Sequence, residues 1–397
     1  MHLFPSTRWA MIAIALLLVA AAAIAIPGRR ASADDPQRFT FGLWGDVPYA
    51  KAGNTAEVPL MINDMNAANL AFTVFNGDTK DGSSRCDDSG YVEAVARFNS
   101  TTAPTVYVVG DNEWTDCHRT NNGNFNGLER LDYLRRTMFN TIASFGKTTM
   151  PLEHQGPVGG KYAENTRWIY GNVAFIGLNM VGSNNNFVLD AKNCDDGGRS
   201  KRTMDDCLKN NLEAASRDQA NIDWMRQTFA IARQRNLAGV MIVAQADLSF
   251  DVPETLADER SDPNFNGLTR FIDAMVEETQ KYAGQVVYVH GDTHHFKVDK
   301  PLSIDPTVKS GNRYLFNDNS RVIPNLTRVE TFGNTNVNWV KVTVDPTSRN
   351  VFIFEPMMLR DAAFKAPTTP IPTATPAGAT ATPIASPTAT ATATPKP

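Results

Sequence analysis

Acidic residues follow small residues at the ends of several short apolar runs, in a pattern that could hold a metal ion. The runs are rich in valine, phenylalanine and tyrosine, which is typical of strands buried on both faces of a largely parallel sheet. Four runs end in Gly-Asp and a fifth in Ala-Asp, at Asp46, Asp78, Asp111, Asp292 and Asp247. In open α/β sheets, ligands bind at the carboxyl ends of the strands. Carboxylates gathered there repel one another unless a positive charge lies among them. The recurrence favours a metal site, whereas a single Gly-Asp is more often a turn or a helix cap.

The run over Val286–Phe296 adds two histidines directly after its Gly-Asp. Neighbouring side chains in an extended chain point in opposite directions. His294 is therefore the candidate ligand, and His295 is expected to point away from it.

Both ends of the 397-residue chain differ from a folded domain. Residues 1–33 are interpreted as a secretory signal peptide, with an apolar run over Ala10–Ile26 and a small-residue cleavage site ending at Ala33. The length of the run and the following Arg29 and Arg30 leave an uncleaved anchor as the alternative. Cleavage predicts a secreted or extracytoplasmic protein without membrane contact in its mature form.

Residues 366–397 consist mainly of Pro, Thr and Ala. This composition offers no periodic apolar face, so it predicts a disordered, stalk-like tail that could associate with a cell wall. The domain between the two ends spans residues 34–365. A formal charge of −4 and the absence of a basic block argue against a nucleic-acid partner. Nothing in the sequence indicates the oligomeric state.

Four cysteines in an exported chain predict two disulfides, and four cysteines allow three pairings. If the strands before Asp78 and Asp111 are neighbours, Cys86 and Cys117 lie on adjacent loops. The pairing chosen is therefore Cys86–Cys117, which leaves Cys194–Cys207 to close a polar loop.

Apolar periodicity predicts an α/β fold. The first part alternates strands and helices through residue 145, which predicts parallel strands joined by right-handed crossovers. Thr166–Met180 is typical of a hairpin, Gly182–Asn210 is interpreted as a long polar loop, and Leu212–Arg235 is expected to be helical. Short alternating runs from residue 296 onwards predict an antiparallel end. Together these patterns predict two mixed β-sheets packed as a sandwich and flanked by helices.

Five motifs resemble, in order, those of the calcineurin-like metallophosphoesterases. That family has D-x-H, G-D-x-x-D, G-N-H-[ED], a lone histidine after a strand, and G-H-x-H. The corresponding segments here, within about Phe39–Glu355, are Gly45–Pro48, Gly77–Gly82, Gly110–Glu113, Ala244–Asp247 and Gly291–His294. The resemblance implies the family's fold and a metal-dependent phosphoric ester hydrolase.

Several positions depart from the family pattern, so the chain resembles a divergent member. Pro48, Asn112, Gln245 and Asp292 stand where the motifs have histidine, and Asp111 stands where they have asparagine. Only the second motif is intact.

Carried over by position, the resemblance implies two ion sites that share one aspartate. The implied ligands are Asp46, Asp78 and His294 for one ion, and Asp78, Asp111 and Asp292 with Gln245 as a further candidate for the other. This oxygen-rich set favours Mn²⁺, Mg²⁺, Ca²⁺ or iron over Zn²⁺.

The implied reaction is hydrolysis of phosphomonoesters or phosphodiesters, in a small molecule or a polymer, by a hydroxide that bridges the ions. Asp78 and Asn112 are the candidate catalytic residues. An asparagine can donate a hydrogen bond but cannot supply a proton near pH 7, so His118, His154 and His295 are candidate acids. The missing motif histidines favour an alternative, a non-catalytic binding module of the same fold displayed on the Pro/Thr-rich stalk.

Overall fold

Two mixed β-sheets stack face to face in the part of the chain that the structure describes. The structure is a computed structural model, and it describes residues 38–248, 267–302 and 323–359. These residues belong to one compact unit that ends at Leu359. The predicted signal peptide, residues 1–33, and the predicted tail, residues 366–397, lie outside the described residues.

The first sheet has the order β12-β11-β1-β2-β3. It contains β1 (Phe39–Trp44), β2 (Thr73–Phe75), β3 (Thr105–Tyr107), β11 (Trp339–Val344) and β12 (Phe352–Met357). The strands β1, β2 and β3 are parallel, whereas β11 and β12 add antiparallel pairs at one edge. The predicted β-α-β-α-β order is confirmed.

The second sheet has the order β4-β5-β6-β7-β8-β10-β9. It contains β4 (Glu153–His154), β5 (Thr166–Tyr170), β6 (Val173–Gly177), β7 (Gly239–Val243), β8 (Gln285–His290), β9 (Lys297–Asp299) and β10 (Leu326–Glu330). The predicted hairpin is formed by β5 and β6. The prediction of a wholly antiparallel end was wrong, because β10 pairs in parallel with β8.

Alternating side chains on the strands place one core between the sheets and another outside each of them. In β7, Met241 and Val243 pack between the sheets, whereas Val240 and Ile242 face the helices outside. All four side chains are fully buried, which contributes roughly 1.5–3 kcal/mol for each. The predicted fold class, two mixed sheets packed as a sandwich with flanking helices, is confirmed.

Helices cover the outer face of each sheet. They are α1 (Val58–Ala67), α2 (Asp88–Phe98), α3 (Gly127–Met138), α4 (Ala191–Cys194), α5 (Met204–Arg235) and α6 (Thr269–Gln280). Helices α1 to α3 pack on the first sheet, and α5 and α6 pack on the second. Among the described residues, no helix combines the length and the apolar character needed to cross a bilayer.

The expected polar loop over Gly182–Asn210 is more ordered than predicted. Helix α5 begins at Met204, where Thr203 caps it by accepting a hydrogen bond from the Asp206 backbone N–H. Asp206 in turn accepts from the Thr203 backbone N–H, which completes a capping box.

Both predicted disulfides are present, as Cys86–Cys117 and Cys194–Cys207. The first joins the loops that follow β2 and β3. Its two sulfur atoms lie 3.6 and 3.7 Å from the carbonyl oxygen of Asn112, so it braces a loop that carries candidate site residues.

Candidate metal centre

Strand ends from both sheets meet at one rim and bring the sequence-predicted site residues together. Asp46, Asp78 and Asp111 follow β1, β2 and β3 of the first sheet, and Gln245, Asp292 and His294 follow β7 and β8 of the second. Hydrogen bonds join residues across the two sheets, including Gln245 to Asp111 and His294 to Tyr49.

Three carboxylates form a cluster that could hold a cation. One oxygen each from Asp78, Asp111 and Asp292 lies within 4.8 Å of the others. Burial, and then the negative charges of the neighbouring carboxylates, raise the pKa values of Asp78 and Asp292 well above the usual range. The cluster therefore favours bound protons or a bound cation.

Gln245 lies next to all three carboxylates of this cluster and is fully buried. Its side-chain oxygen accepts a hydrogen bond from the Gly182 backbone N–H at 2.7 Å. Its nitrogen donates to Asp292 at 2.7 Å, to Asp111 at 3.3 Å and to Asp78 at 3.4 Å. In this orientation Gln245 gives the cluster a hydrogen-bond donor. To act as the predicted ligand, the amide would have to rotate and lose its bond to Gly182.

Tyr49 is a site residue that the sequence analysis missed. Its buried hydroxyl donates to Asp78 at 2.9 Å and lies 3.4 Å from Asp46 Oδ1 and 3.2 Å from His294 Nε2. Burial, and then the charge of Asp78, raise the pKa of Tyr49 well above its usual value, so the phenol stays neutral. The hydroxyl occupies the middle of the predicted Asp46, Asp78 and His294 ligand set.

Asp46 and His294 form the other part of the rim. His294 Nε2 lies 3.3 Å from Asp46 Oδ1, whereas Asp46 Oδ2 is buried and has no hydrogen-bond partner in the described part of the chain. Burial raises the pKa of Asp46 to about 6, although its hydrogen bond to His294 opposes this. Burial alone would lower the pKa of His294, but Asp46 outweighs it and raises the value.

Three of the predicted ligand residues have left-handed backbone conformations. The φ angles are 53° at Asp46, 61° at Asp78 and 66° at His294. Aspartate and histidine tolerate the left-handed region better than most residues, but this conformation still costs free energy. Residues with such conformations cluster at functional sites. All three are positions where the chain matches the resembled motifs by residue type.

Asn112 supports Asp78 with two hydrogen bonds. Its backbone N–H donates to Asp78 Oδ1 at 3.2 Å, and its side-chain nitrogen donates to Asp78 Oδ2 at 2.5 Å. Glu113, the last residue of the motif segment Gly110–Glu113, accepts backbone hydrogen bonds from Gly110, at 3.0 Å, and from Thr79. These contacts tie together the loops that follow β2 and β3.

Gly182 and Ser183, at the start of the 182–210 segment, lie against the carboxylates of the cluster. Ser183 Oγ lies within hydrogen-bond distance of Asp111 Oδ2, at 3.0 Å, and of Asp116 Oδ1, at 2.8 Å, and its one hydroxyl hydrogen can be donated to either. A Cβ atom at Gly182 would lie 2.6 Å from Asp292 Oδ2 and 2.8 Å from Asp111 Oδ2, so a side chain there would displace these carboxylates. Ser183 begins four consecutive left-handed residues that end at Asn186, with φ between 51° and 67°. The run of three asparagines is the sequence signal for this turn, because asparagine tolerates that conformation.

None of the three candidate acid histidines forms a hydrogen bond with the acidic cluster in the described residues. His154 Nδ1 contacts the Ala163 carbonyl, and the exposed His295 donates its backbone N–H to Glu330. His118 lines a cavity of about 240 Å³ beside Ser183. Burial lowers the pKa of His118 to about 3, so it is neutral near pH 7.

Comparison with solved structures finds similar chain architectures at low sequence identity. GAP50, the anchor in the inner membrane complex of Plasmodium, aligns over 82% of this chain and 90% of its own, with 11% identity and a TM-score of 0.38. Purple acid phosphatase PPD1 from yellow lupin (Lupinus luteus) seeds aligns over 82% and 52%, with 13% identity and a TM-score of 0.44. The 5'-nucleotidase from Candida albicans SC5314 aligns over 82% and 53%, with 9% identity and a TM-score of 0.38.

This chain spans about half the length of the phosphatase and nucleotidase chains. At these values the likeness concerns the fold alone, and no functional conclusion rests on it. No protein-family model and no curated protein matches the sequence.

The donor set at the rim fits a hard divalent cation. The three clustered carboxylates offer only oxygen ligands. The raised pKa values of Asp78 and Asp292 show that negative charge there lacks compensation. The unpartnered Asp46 Oδ2 is a further oxygen at the same rim.

Proposed function

We propose that the chain binds a divalent cation at Asp78, Asp111 and Asp292 and hydrolyses phosphoesters there. The observation that carries the proposal is the meeting of three carboxylates from three strand ends, with ligand atoms within 4.8 Å of one another. A cation bound there would polarise a phosphoryl oxygen. Five motifs resemble those of the calcineurin-like metallophosphoesterases and occur in the same order along the chain, which supports this chemistry. The chain would then be a divergent member of that family.

The surrounding residues would position the carboxylates and the substrate. Ser183 and Gln245 hold Asp111, and Asn112 holds Asp78, so each carboxylate keeps a fixed orientation. The Tyr49 hydroxyl is a neutral donor 2.9 Å from Asp78, and it can donate a hydrogen bond to a phosphoryl oxygen.

The oxygen-only set favours Mn²⁺, Mg²⁺, Ca²⁺ or iron over Zn²⁺. One ion at the three-carboxylate cluster requires the Gln245 amide nitrogen to give up its hydrogen bonds to these carboxylates. A second ion between Asp46, Asp78 and His294 requires the Tyr49 hydroxyl to leave the centre of that set.

Activity assays with the full chain test this proposal. We expect Mn²⁺, Mg²⁺ or Ca²⁺ to support hydrolysis of p-nitrophenyl phosphate or bis(p-nitrophenyl) phosphate. Asp111→Asn should lower kcat/KM by about 100-fold or more, because a metal ion contributes several kcal/mol to the transition state.

The matched control is Asp87→Asn, since Asp87 pairs with Arg85 on the surface. It should retain wild-type activity. Absence of turnover with every cation, or equal activity of Asp111→Asn and wild type, would contradict the proposal.

A second candidate function is a non-catalytic binding module of the same fold. Tyr49 and Gln245 favour it, because both donate hydrogen bonds into the acidic rim and partly replace the compensation that a cation gives. This alternative predicts a folded protein that turns over neither substrate with any of the cations.

We propose an extracytoplasmic location and a phosphoester substrate, either a small molecule or a segment of a polymer. The two disulfides support an oxidising compartment. N-terminal sequencing of the exported protein would test the predicted cleavage after Ala33.

A further inference from the structure

A second cavity lies on the helix side of the loops that follow β1 and β2. It has a volume of about 260 Å³ and is lined on one side by Pro48 and Thr79, and on the other by residues of α2 that include Tyr91 and Arg97. Its lining does not include the three clustered carboxylates. It is therefore a separate compartment of the molecule.

Arg97 lines this cavity, and the charges of Glu93 and Glu113 offset the burial of its own charge only in part. Its Nη1 atom is buried without a hydrogen-bond partner, and its guanidinium has no ion pair within the described ranges. Burial lowers the pKa of Arg97 to about 10, so the side chain is still charged near pH 7. A partly buried cation without an ion-pair partner is costly, and a bound anion is one way to offset that cost.

Lys80 adds a second positive charge to the same lining. Its Nζ donates to the carbonyl oxygen of Asp81 at 3.2 Å, and no carboxylate pairs with it in the described part of the chain. An ammonium with three donors therefore keeps donors for a ligand.

The carboxylates that line the cavity form their hydrogen bonds and ion pairs with other groups, although Glu113 and Asp81 attract Lys80 at longer range. Asp81 accepts hydrogen bonds from Ser83 and Ser84, and Asp87 forms an ion pair with Arg85. Glu113 accepts the backbone N–H groups of Thr79 and Gly110. Glu93 is exposed and forms no ion pair with Arg97 among the described residues.

We propose that this cavity binds the oxyanion of a small organic molecule through Lys80 and Arg97. The cavity exceeds the size of an inorganic anion, and Tyr91 and Pro48 offer surface for an organic body next to the charged head. Carboxylates and phosphoryl groups both match a guanidinium fork. The site is independent of the proposed hydrolysis.

Calorimetry on the EDTA-dialysed full chain tests the proposal with sulfate, benzoate and phenylphosphonate at constant ionic strength. We expect one site, with at least one organic probe binding more tightly than sulfate. Arg97→Gln and Lys80→Gln should each raise the Kd at least about tenfold, the equivalent of 1.4 kcal/mol. Arg85→Gln is the matched control, because Arg85 lines the same cavity but is paired with Asp87, and it should bind as wild type.

The same titrations in the Asp111→Asn variant separate this site from the acidic cluster. The Kd of each probe should be the same in Asp111→Asn as in wild type. No binding of any probe would overturn the proposal, and so would wild-type affinity in Arg97→Gln. If Arg97→Gln does not fold, crystals of the wild-type chain soaked in selenate decide the matter. An anomalous peak beside Arg97 and Lys80 supports the site, and a map without one overturns it.

Discussion

At the scale of the residue, Tyr49 determines which of the predicted ligands are available to a cation. Its hydroxyl lies among Asp46, Asp78 and His294, at 2.9 to 3.4 Å from their polar atoms. In this position it donates a hydrogen bond to an Asp78 oxygen that could otherwise coordinate an ion. The remaining carboxylates, Asp111 and Asp292, keep Asp78 as their shared neighbour.

The side chain of Tyr49 should therefore limit the number of bound ions. We expect wild type to bind one Mn²⁺ per chain and Tyr49→Ala to bind two, because Tyr49→Ala frees the Asp46, Asp78 and His294 set. Tyr49→Phe is the matched variant. It keeps the ring but lacks the hydroxyl that lies among these three residues, so it should also bind two. Electron paramagnetic resonance of free Mn²⁺ measures the stoichiometry.

Asp46→Asn added to Tyr49→Ala should return the count to one. Two ions in the wild type, or one in Tyr49→Ala, would show that Tyr49 does not occupy an ion position.

At the scale of the element, the left-handed turn from Ser183 to Asn186 holds Ser183 against Asp111 of the cluster. Its strain is offset by long-range contacts, since Arg217 of α5 donates to the Asn185 carbonyl at 2.9 Å and Asn185 donates to the Gly267 carbonyl at 3.0 Å. The turn thus depends on both α5 and the segment before α6.

A pair of substitutions at Asn186 isolates the backbone strain. Asn186→Gly and Asn186→Ala both lose the side-chain hydrogen bond to Glu213, but only alanine resists a φ of 67°. We expect the glycine variant to exceed the alanine variant by about 1 kcal/mol in the free energy of unfolding. Urea denaturation measures the difference, and equal stability would contradict a left-handed conformation at this position.

Helices α5 and α6 are joined by an ion pair between Asp218 and Arg270, with a separation of 3.0 Å. Burial raises the pKa of Asp218 from 3.8 to about 6, although Arg270 opposes the shift. The folded chain therefore holds this proton more tightly than the unfolded chain does. The contribution of Asp218 to stability is highest below about pH 4 and falls as the pH rises to about 6.

Asp218→Asn cannot ionise and should escape this loss. The difference in the free energy of unfolding between Asp218→Asn and wild type should rise by roughly 2–3 kcal/mol between about pH 4 and pH 6, and then level off. The size of the rise follows from about 1.4 kcal/mol for each pKa unit of the shift. Denaturation at several pH values measures the difference. A difference that is flat or falls with pH would contradict the assigned pKa shift.

At the scale of the whole molecule, local patterns predicted the fold and the rim but not the contacts within the rim. Strand periodicity and the Gly-Asp endings were sufficient to predict two mixed sheets and to bring Asp78 and Asp111 to one edge. The parallel pairing of β10 with β8 was missed, because strand direction depends on partners distant in sequence. Tyr49 was missed for the same reason, since only folding brings it to His294, 245 residues away.

The central claim is that Asp78, Asp111 and Asp292 together bind a divalent cation. An anomalous difference map from crystals of the full chain soaked in Mn²⁺ tests it most directly. We expect a Mn²⁺ peak within about 2.0–2.4 Å of an oxygen of each carboxylate, in the range that hard cations adopt with oxygen ligands. A fully ordered cluster with no Mn²⁺ peak, or a peak that contacts Asp46 and His294 but not Asp111 and Asp292, would contradict it.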